Sequence, residues 1–187
     1  GRGSNGDDLI GLADVIAGEF PETVFHSPNA PISMGAFGFM WFSIESTNDR
    51  EYALNQSAAM IEEFIDELAV TYQLAASKIA LVGFSQGSIM SIHIGPRTIK
   101  QLAGVVAFSG AMFTGESLKE ELVSKPPFVL IHGEEDMVLD SKESLTAGAR
   151  LDDAGIPVKV HILPGLAHSI DRRALDIAVD FLKGVLG

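Results

Sequence analysis

A serine lies between two glycines in the stretch Gly83–Gly87, which reads GFSQG. The pattern G-x-S-x-G is typical of a tight turn between a strand and a helix, where the serine hydroxyl is exposed and the next backbone N–H is free to stabilise an oxyanion. The pattern alone is common, but here an apolar run at 78–84 precedes it and an apolar helical pattern at 86–94 follows it. We therefore predict that Ser85 is a nucleophile, with an ordinary turn serine as the alternative.

A nucleophilic serine on such a turn needs a histidine as general base and an acid that orients the histidine, in the chain order Ser, Asp or Glu, His. His168 follows the apolar run at 158–163, and Asp136 follows the apolar run at 128–131. We predict that these two residues complete a triad with Ser85. For His168 the alternative is an ordinary surface-loop histidine. Three other acids near Asp136 are alternatives for the orienting role: Glu134, Glu135 and Asp140.

The elements that must position these residues are apolar strands alternating with helices, a pattern typical of a parallel α/β sheet. The strands are predicted at about 23–27, 78–84, 102–108, 128–131 and 158–163. The helices are predicted from Asp7 onward and at about 49–75, 86–94, 141–154 and 174–185. Functional residues of such a sheet lie in loops at the carboxyl ends of the strands, so the predicted triad meets at one edge. No repeat or linker interrupts residues 1–187, which indicates a single domain.

The composition excludes several classes of function. The chain has 13 Lys and Arg residues against 25 Asp and Glu residues, and this net charge of -12 argues against binding to nucleic acid or to an anionic membrane. It has no cysteine, which excludes a thiolate nucleophile, disulfides and cysteine-ligated metals. No apolar run approaches the ~18 residues of a membrane span.

We also expect no metal site and no cofactor. The histidines outside the predicted triad do not pair with acids at metal-ligand spacing: His26, His93, His132 and His161. For His132, which ends an apolar strand, we expect a hydrogen bond to the backbone.

Motifs along the whole chain resemble one protein family. They are GFSQG, the HGxxDxV pattern of His132–Val138, the GxxHxI pattern of Gly165–Ile170 and the opening GxGSNGDDL. In these motifs the chain is similar to the phospholipase/carboxylesterase family, which contains bacterial carboxylesterases and acyl-protein thioesterases. The resemblance implies an α/β-hydrolase fold, with a mostly parallel sheet flanked by helices, and a triad of Ser85, Asp136 and His168.

The resemblance also implies an oxyanion hole made of two backbone amides. One is the amide of Gln86, and the other belongs to the residue after a His-Gly pair at the end of the family's first strand. Gly1 would be that glycine, so Arg2 would be the second donor, and the first strand and its histidine would precede Gly1. The chain departs from the family's pattern at Leu139-Asp140, where a proline is common after the valine of the HGxxDxV pattern.

Several apolar residues beside the predicted active edge are candidates for contact with the substrate, with plain core packing as the alternative. They are Trp41, Phe42, Met112, Phe113, Val138 and Leu166. The chain is short for this fold and has no inserted cap domain. We therefore expect a shallow groove that takes short to medium acyl chains.

Together these observations predict a serine hydrolase that cleaves carboxylic esters through an acyl-enzyme intermediate. A lysophospholipase or an acyl-thioesterase with the same triad is one alternative, and a non-catalytic binding module on the same fold is another. The expected partner is a small-molecule ester, the expected assembly a monomer or homodimer, and the expected location the cytoplasm.

Overall fold

From residue 80 onward the chain alternates strands with helices. The computed structural model describes residues 1–43 and 50–187. Its strands are β1 (Ile32–Ser33), β2 (Phe39–Met40), β3 (Ala80–Phe84), β4 (Gly104–Phe108), β5 (Phe128–Gly133) and β6 (Val158–Leu163). Its α-helices are α1 (Gly6–Ile16), α2 (Arg50–Tyr72), α3 (Gln86–Arg97), α4 (Leu118–Glu121), α5 (Lys142–Asp153) and α6 (Arg172–Leu186).

The main sheet has the strand order β3-β4-β5-β6, and each neighbouring pair is parallel. α3 connects β3 to β4 and α5 connects β5 to β6, while β1 and β2 form a separate two-stranded antiparallel pair. The structure therefore confirms the predicted mostly parallel sheet flanked by helices. Because the strands run in one direction, the loops after β3, β4, β5 and β6 all leave from the same edge.

The core lies on both faces of the sheet, as the period-two alternation of a strand requires. Val105 and Ala107 of β4 pack in one cluster with Leu151 of α5. Val106 and Phe108 of the same strand pack in a second cluster with α6. Burial on both faces explains why β4 and β5 are continuous apolar runs in the sequence.

The prediction of a strand at 23–27 is wrong. These residues have no regular secondary structure, and the Thr23 N–H donates to the Phe20 carbonyl in a turn. A strand requires hydrogen bonds from a neighbouring strand, and a short apolar pattern cannot show whether such a neighbour exists. The other predicted elements lie within a few residues of their predicted ranges, with α3 continuing beyond its predicted end to Arg97. The predicted start of the helix at residue 49 lies outside the described residues. The short strands β1 and β2 have no counterpart among the predictions.

No helix within residues 1–43 and 50–187 is both long enough and apolar enough to cross a bilayer.

A buried histidine joins α2 and α3 to the segment after β4. His93 is only 4% exposed. Its Nε2–H donates to Asn55 Oδ1 at 2.8 Å, and the Thr114 hydroxyl donates to its Nδ1 at 2.9 Å. Burial and, secondly, the charge of Arg97 lower the pKa of His93 to about 4. The folded protein therefore holds this imidazole neutral.

This burial makes the protein sensitive to acid. Between about pH 6.5 and pH 4 the unfolded chain binds a proton at His93 that the folded protein does not, which costs about 1.4 kcal/mol of stability per pH unit. We expect the free energy of unfolding, measured in urea, to fall between pH 7 and pH 4.5 by about 2 kcal/mol less in His93→Gln than in the wild type. The control is His26→Gln, which removes an exposed histidine and should keep the wild-type fall. An unchanged fall in His93→Gln would contradict this prediction.

Candidate active site

Ser85 lies in a strained turn between β3 and α3. Its backbone has φ 54° and ψ -117°, a conformation that non-glycine residues rarely adopt. The Ser85 N–H donates to the Phe108 carbonyl at 3.0 Å, which continues the pairing of β3 with β4 past the end of the strand. The turn therefore places Ser85 at the carboxyl edge of the sheet.

The two glycines of the GFSQG motif differ in how closely they are packed. A Cβ on Gly83 would clash with the backbone carbonyl of Gly87, because the strand and the helix are in direct contact there. A Cβ on Gly87 itself would meet only the Trp41 indole nitrogen, at 4.0 Å. The close approach of strand and helix therefore requires a glycine at position 83 but not at position 87.

This difference predicts opposite effects of two alanine substitutions. Gly83→Ala forces the first turn of α3 away from β3, and we expect a loss of about 1–3 kcal/mol in the free energy of unfolding. Gly87→Ala is the matched control, since it adds the same methyl group where there is room, and we expect it to keep or slightly raise stability. Urea denaturation of both variants measures the difference. Equal destabilisation would contradict the packing described here.

The loops after β5 and β6 bring a carboxylate and an imidazole together. His168 Nδ1–H donates to Asp136 Oδ2 at 2.6 Å. The other oxygen, Oδ1, accepts the backbone N–H groups of Val138 at 2.8 Å and Leu139 at 2.9 Å. The Asp136 side chain is 0% exposed and that of His168 is 16% exposed. The arrangement leaves the Nε2 of His168 as the nitrogen available to another partner.

Asp136 is held as a carboxylate. Burial alone would raise the pKa of Asp136, but the hydrogen bonds from the Leu139 amide, His168 and the Val138 amide lower it below the usual value of an aspartate. An ionised acid beside Nδ1 fixes the tautomer of His168 with its hydrogen on Nδ1.

The alternative acids named from the sequence lie elsewhere. Glu134, Glu135 and Asp140 are exposed. Asp140 accepts the Lys142 N–H at 2.9 Å at the start of α5. Asp136 is the member of this acidic stretch that contacts His168.

The loop that carries His168 folds back over the end of β5. The Glu135 N–H donates to the Leu166 carbonyl at 2.9 Å, and Gly133 packs against the backbone of this loop so closely that a Cβ there would clash. The His168 ring lies 4.9 Å from the ring of Phe84, the residue before Ser85. The structure thus brings the predicted base next to the turn that carries the predicted nucleophile.

The hydrogen bonds within residues 1–43 and 50–187 do not include one between Ser85 Oγ and His168. In proteins without substrate this contact is often long and shortens when substrate binds.

The predicted oxyanion donors are near the same turn. Gln86 is the first residue of α3, where a backbone N–H has no acceptor within its own helix. A Cβ on Gly1 would lie 3.4 Å from Ser85 Cβ, so the segment that carries Arg2 passes beside the turn. This segment is held by the Phe39 N–H, which donates to the Ser4 carbonyl at 2.9 Å. Donation by Gln86 and Arg2 to a substrate stays a prediction.

The predicted substrate-contacting residues fall into two groups. Trp41 and Phe113 are half-buried and Val138 is 73% exposed, so these three have surface free for a ligand. The other three pack in the interior: Phe42, Met112 and Leu166. These three side chains pack in the hydrophobic core. Contact with the substrate stays a prediction for all six residues.

Comparison with known proteins decides the family. A sequence model of the family described as phospholipase/carboxylesterase matches residues 1–186. The chain belongs to the phospholipase/carboxylesterase family.

Proteins similar to this chain include esterases and thioesterases. The chain is 32% identical to esterase YpfH of Escherichia coli K12, over 95% of this chain and 78% of that protein. It is 30% identical to acyl-protein thioesterase 1 of Neurospora crassa, over 84% of this chain and 70% of that protein. The crystal structure of esterase PE8 superposes with a TM-score of 0.93 at 38% identity, over 100% of this chain and 89% of that one. Family membership and these relatives support a hydrolase that acts on ester bonds.

In this phospholipase/carboxylesterase-family protein, His132 makes a contact at the candidate site that the sequence did not predict. His132 Nε2 lies 2.9 Å from the Leu139 carbonyl, the backbone contact that was expected, but also 3.0 Å from Asp136 Oδ2. The sequence signal that could have indicated the contact with Asp136 is the spacing of four residues between a histidine at a strand end and the following aspartate. Within residues 1–43 and 50–187, no group of three or more histidine, aspartate or glutamate side chains is arranged so that it could hold a metal ion.

Proposed function

We propose that this protein is a serine hydrolase of carboxylic esters in which Ser85 is the nucleophile, His168 the general base and Asp136 the orienting acid. The observation that carries the proposal is the 2.6 Å hydrogen bond from His168 Nδ1 to a buried, ionised Asp136, beside the strained turn of Ser85. Nucleophile, base and acid are the three parts that this chemistry requires.

In the first half of the reaction, His168 Nε2 takes the proton of the Ser85 hydroxyl as Oγ attacks the ester carbonyl carbon. Asp136 stays ionised and stabilises the imidazolium that forms. The carbonyl oxygen becomes an oxyanion, which accepts hydrogen bonds from the amides of Gln86 and Arg2, each worth roughly 3–4 kcal/mol. The tetrahedral intermediate then collapses, the ester C–O bond breaks, and His168 gives its proton to the leaving alcohol.

In the second half, a water molecule replaces the alcohol. His168 takes a proton from this water as its oxygen attacks the acyl-enzyme carbonyl carbon. The bond to Ser85 Oγ then breaks, and His168 returns the proton to Oγ as the carboxylic acid leaves. Every proton passes through the side chain of His168, so the cycle needs no cofactor.

The surface beside Asp136 favours an open site. Met137 is 95% exposed and Val138 is 73% exposed, so apolar side chains at this edge face solvent. Trp41 and Phe113, which pack against the same hydrophobic cluster as Leu139, are half-buried and have apolar surface left for an acyl chain. We propose short to medium acyl chains on this basis. An acyl thioester is the second candidate, favoured by the similarity to acyl-protein thioesterase 1 of Neurospora crassa.

The experiment is to measure kcat/KM for p-nitrophenyl esters from acetyl to dodecanoyl, with acyl-coenzyme A thioesters of the same lengths in parallel. We expect ester turnover with a maximum at a short or medium chain. A maximum at dodecanoyl would contradict the proposed acyl length, and faster thioester turnover would select the second candidate. No turnover of either series, from a protein shown to be folded, would favour a non-catalytic binding module.

A further inference from the structure

A second imidazole contacts the carboxylate that orients His168. The His132 side chain is 0% exposed, at the end of β5. Its Nε2 lies 3.0 Å from Asp136 Oδ2, the same oxygen that accepts the Nδ1–H of His168. Oδ2 of Asp136 is therefore within hydrogen-bond distance of two imidazoles, and Oδ1 accepts two backbone N–H groups.

The tautomer of His132 follows from its neighbours. Its Nε2 faces Asp136 Oδ2 and, at 2.9 Å, the Leu139 carbonyl, both of which can only accept. Nε2 therefore carries a hydrogen and shares it between the two oxygens. On the other side of the ring, Ser144 Oγ at the start of α5 lies 2.7 Å from Nδ1.

This shared hydrogen joins two groups that would otherwise repel each other. A carboxylate oxygen and a carbonyl oxygen both carry negative charge and both point at the same nitrogen. The Leu139 N–H meanwhile holds the other carboxylate oxygen at 2.9 Å. Without the Nε2–H, Oδ2 and the Leu139 carbonyl would separate, and the carboxylate would rotate away from the direction in which it receives the His168 Nδ1–H.

The ring itself has a rigid support. Ser144 Oγ also lies 3.1 Å from the Gly110 carbonyl, in the loop after β4, and the Ser144 side chain is buried. His132 is thus held between the ends of β4 and β5 and the start of α5. It can set the position of a neighbouring side chain because its own position is fixed by these elements.

We infer that His132 is a positioning residue, which acts through Asp136 by keeping its carboxylate aligned with His168 for proton transfer. The inference rests on the proposed function, since it assigns a role to a contact of the proposed acid. His132 does not touch the substrate, so its loss should lower kcat while leaving KM nearly unchanged.

The test is a pair of substitutions with a matched control. His132→Leu removes the donor at similar volume, and we expect kcat for a p-nitrophenyl ester to fall about 10- to 100-fold with KM changed less than about threefold. His132→Gln keeps an N–H donor near the position of Nε2, and we expect it to restore kcat to within about fivefold of the wild type. The control is His93→Leu, which removes another buried, doubly hydrogen-bonded imidazole away from the site and should leave kcat unchanged. Wild-type kcat in His132→Leu, or equal losses in His132→Leu and His132→Gln, would overturn the inference.

A double-mutant cycle separates this inference from the proposed function. If His132 acts through Asp136, then His132→Leu should change kcat less than about threefold in an Asp136→Asn background. A full additional loss in that background would overturn the inference, because it would show an effect independent of Asp136. Wild-type activity in Asp136→Asn alone would instead overturn the proposed triad.

Discussion

Replacing Ser85 by alanine is expected to lower kcat for p-nitrophenyl esters by about 10⁵- to 10⁶-fold. The substitution removes the atom that forms the acyl-enzyme, so the residual rate comes from binding and oxyanion stabilisation alone. A fluorophosphonate, whose phosphorus is attacked by an activated serine oxygen with release of fluoride, should label the wild type once per chain and should not label the variant. Ester turnover and mass spectrometry of the labelled peptide measure the two effects.

The matched control is Ser91→Ala, which lies within α3, six residues after Ser85. Ser91 Oγ donates to the Gly87 carbonyl within the helix, at 2.9 Å, and does not reach the turn of Ser85. We expect its turnover and labelling to equal those of the wild type. Undiminished turnover in Ser85→Ala, or a label on another residue, would show that a different nucleophile carries the activity.

The second large effect is expected for Asp136→Asn, with a loss of about 10⁴-fold in kcat. The amide oxygen can still accept the N–H groups of Val138 and Leu139, which places the amide NH₂ against His168 and His132. Donation of this NH₂ to His168 Nδ1 moves the imidazole hydrogen to Nε2. His168 then presents a donor rather than a lone pair to Ser85 and cannot act as its base.

Asp140→Asn is the control for this substitution, because it makes the same change of charge at an exposed acid four residues away. We expect it to keep the wild-type kcat. Both variants should be compared after their unfolding transitions have been shown to be intact, since Asp136 is buried. A wild-type rate in Asp136→Asn would exclude this residue as the orienting acid.

Most of the sheet could be predicted from the sequence because its strands are apolar runs, which are buried throughout in β4 and β5 and partly buried in β3 and β6. The run at 158–163 was predicted with the bounds that β6 has in the structure, and the helix that follows the serine motif begins at the predicted residue. The segment at 23–27 shows the limit of this reasoning. Its apolar residues resemble a short strand, but pairing depends on a neighbour that no local pattern encodes.

The candidate substrate residues show a second limit. Met112 and Phe113 are adjacent and both apolar, yet Met112 packs in the core and Phe113 is only half-buried. Hydrophobicity alone does not distinguish a side chain that fills the interior from one that lines a groove. The backbone at Trp41 and Phe42 is held by the side chain of Gln86, at 3.0 Å and 2.9 Å, a contact across more than forty positions that the motif could not predict.

The sequence by itself predicted the type of chemistry and the chain order of the residues proposed to carry it. A serine in a glycine-bounded turn, an aspartate and a histidine each follow an apolar run, and strand direction alone brings such loops to one edge. The tertiary structure alone decided which acid contacts His168, at which position of the motif a Cβ would clash, and that His132 contacts Asp136. These outcomes depend on distances of about 3 Å between atoms from different strands and helices, and hydrogen bonds and steric contacts change over less than 1 Å. Residue types and spacing do not determine positions to that precision, because packing of the whole domain sets them.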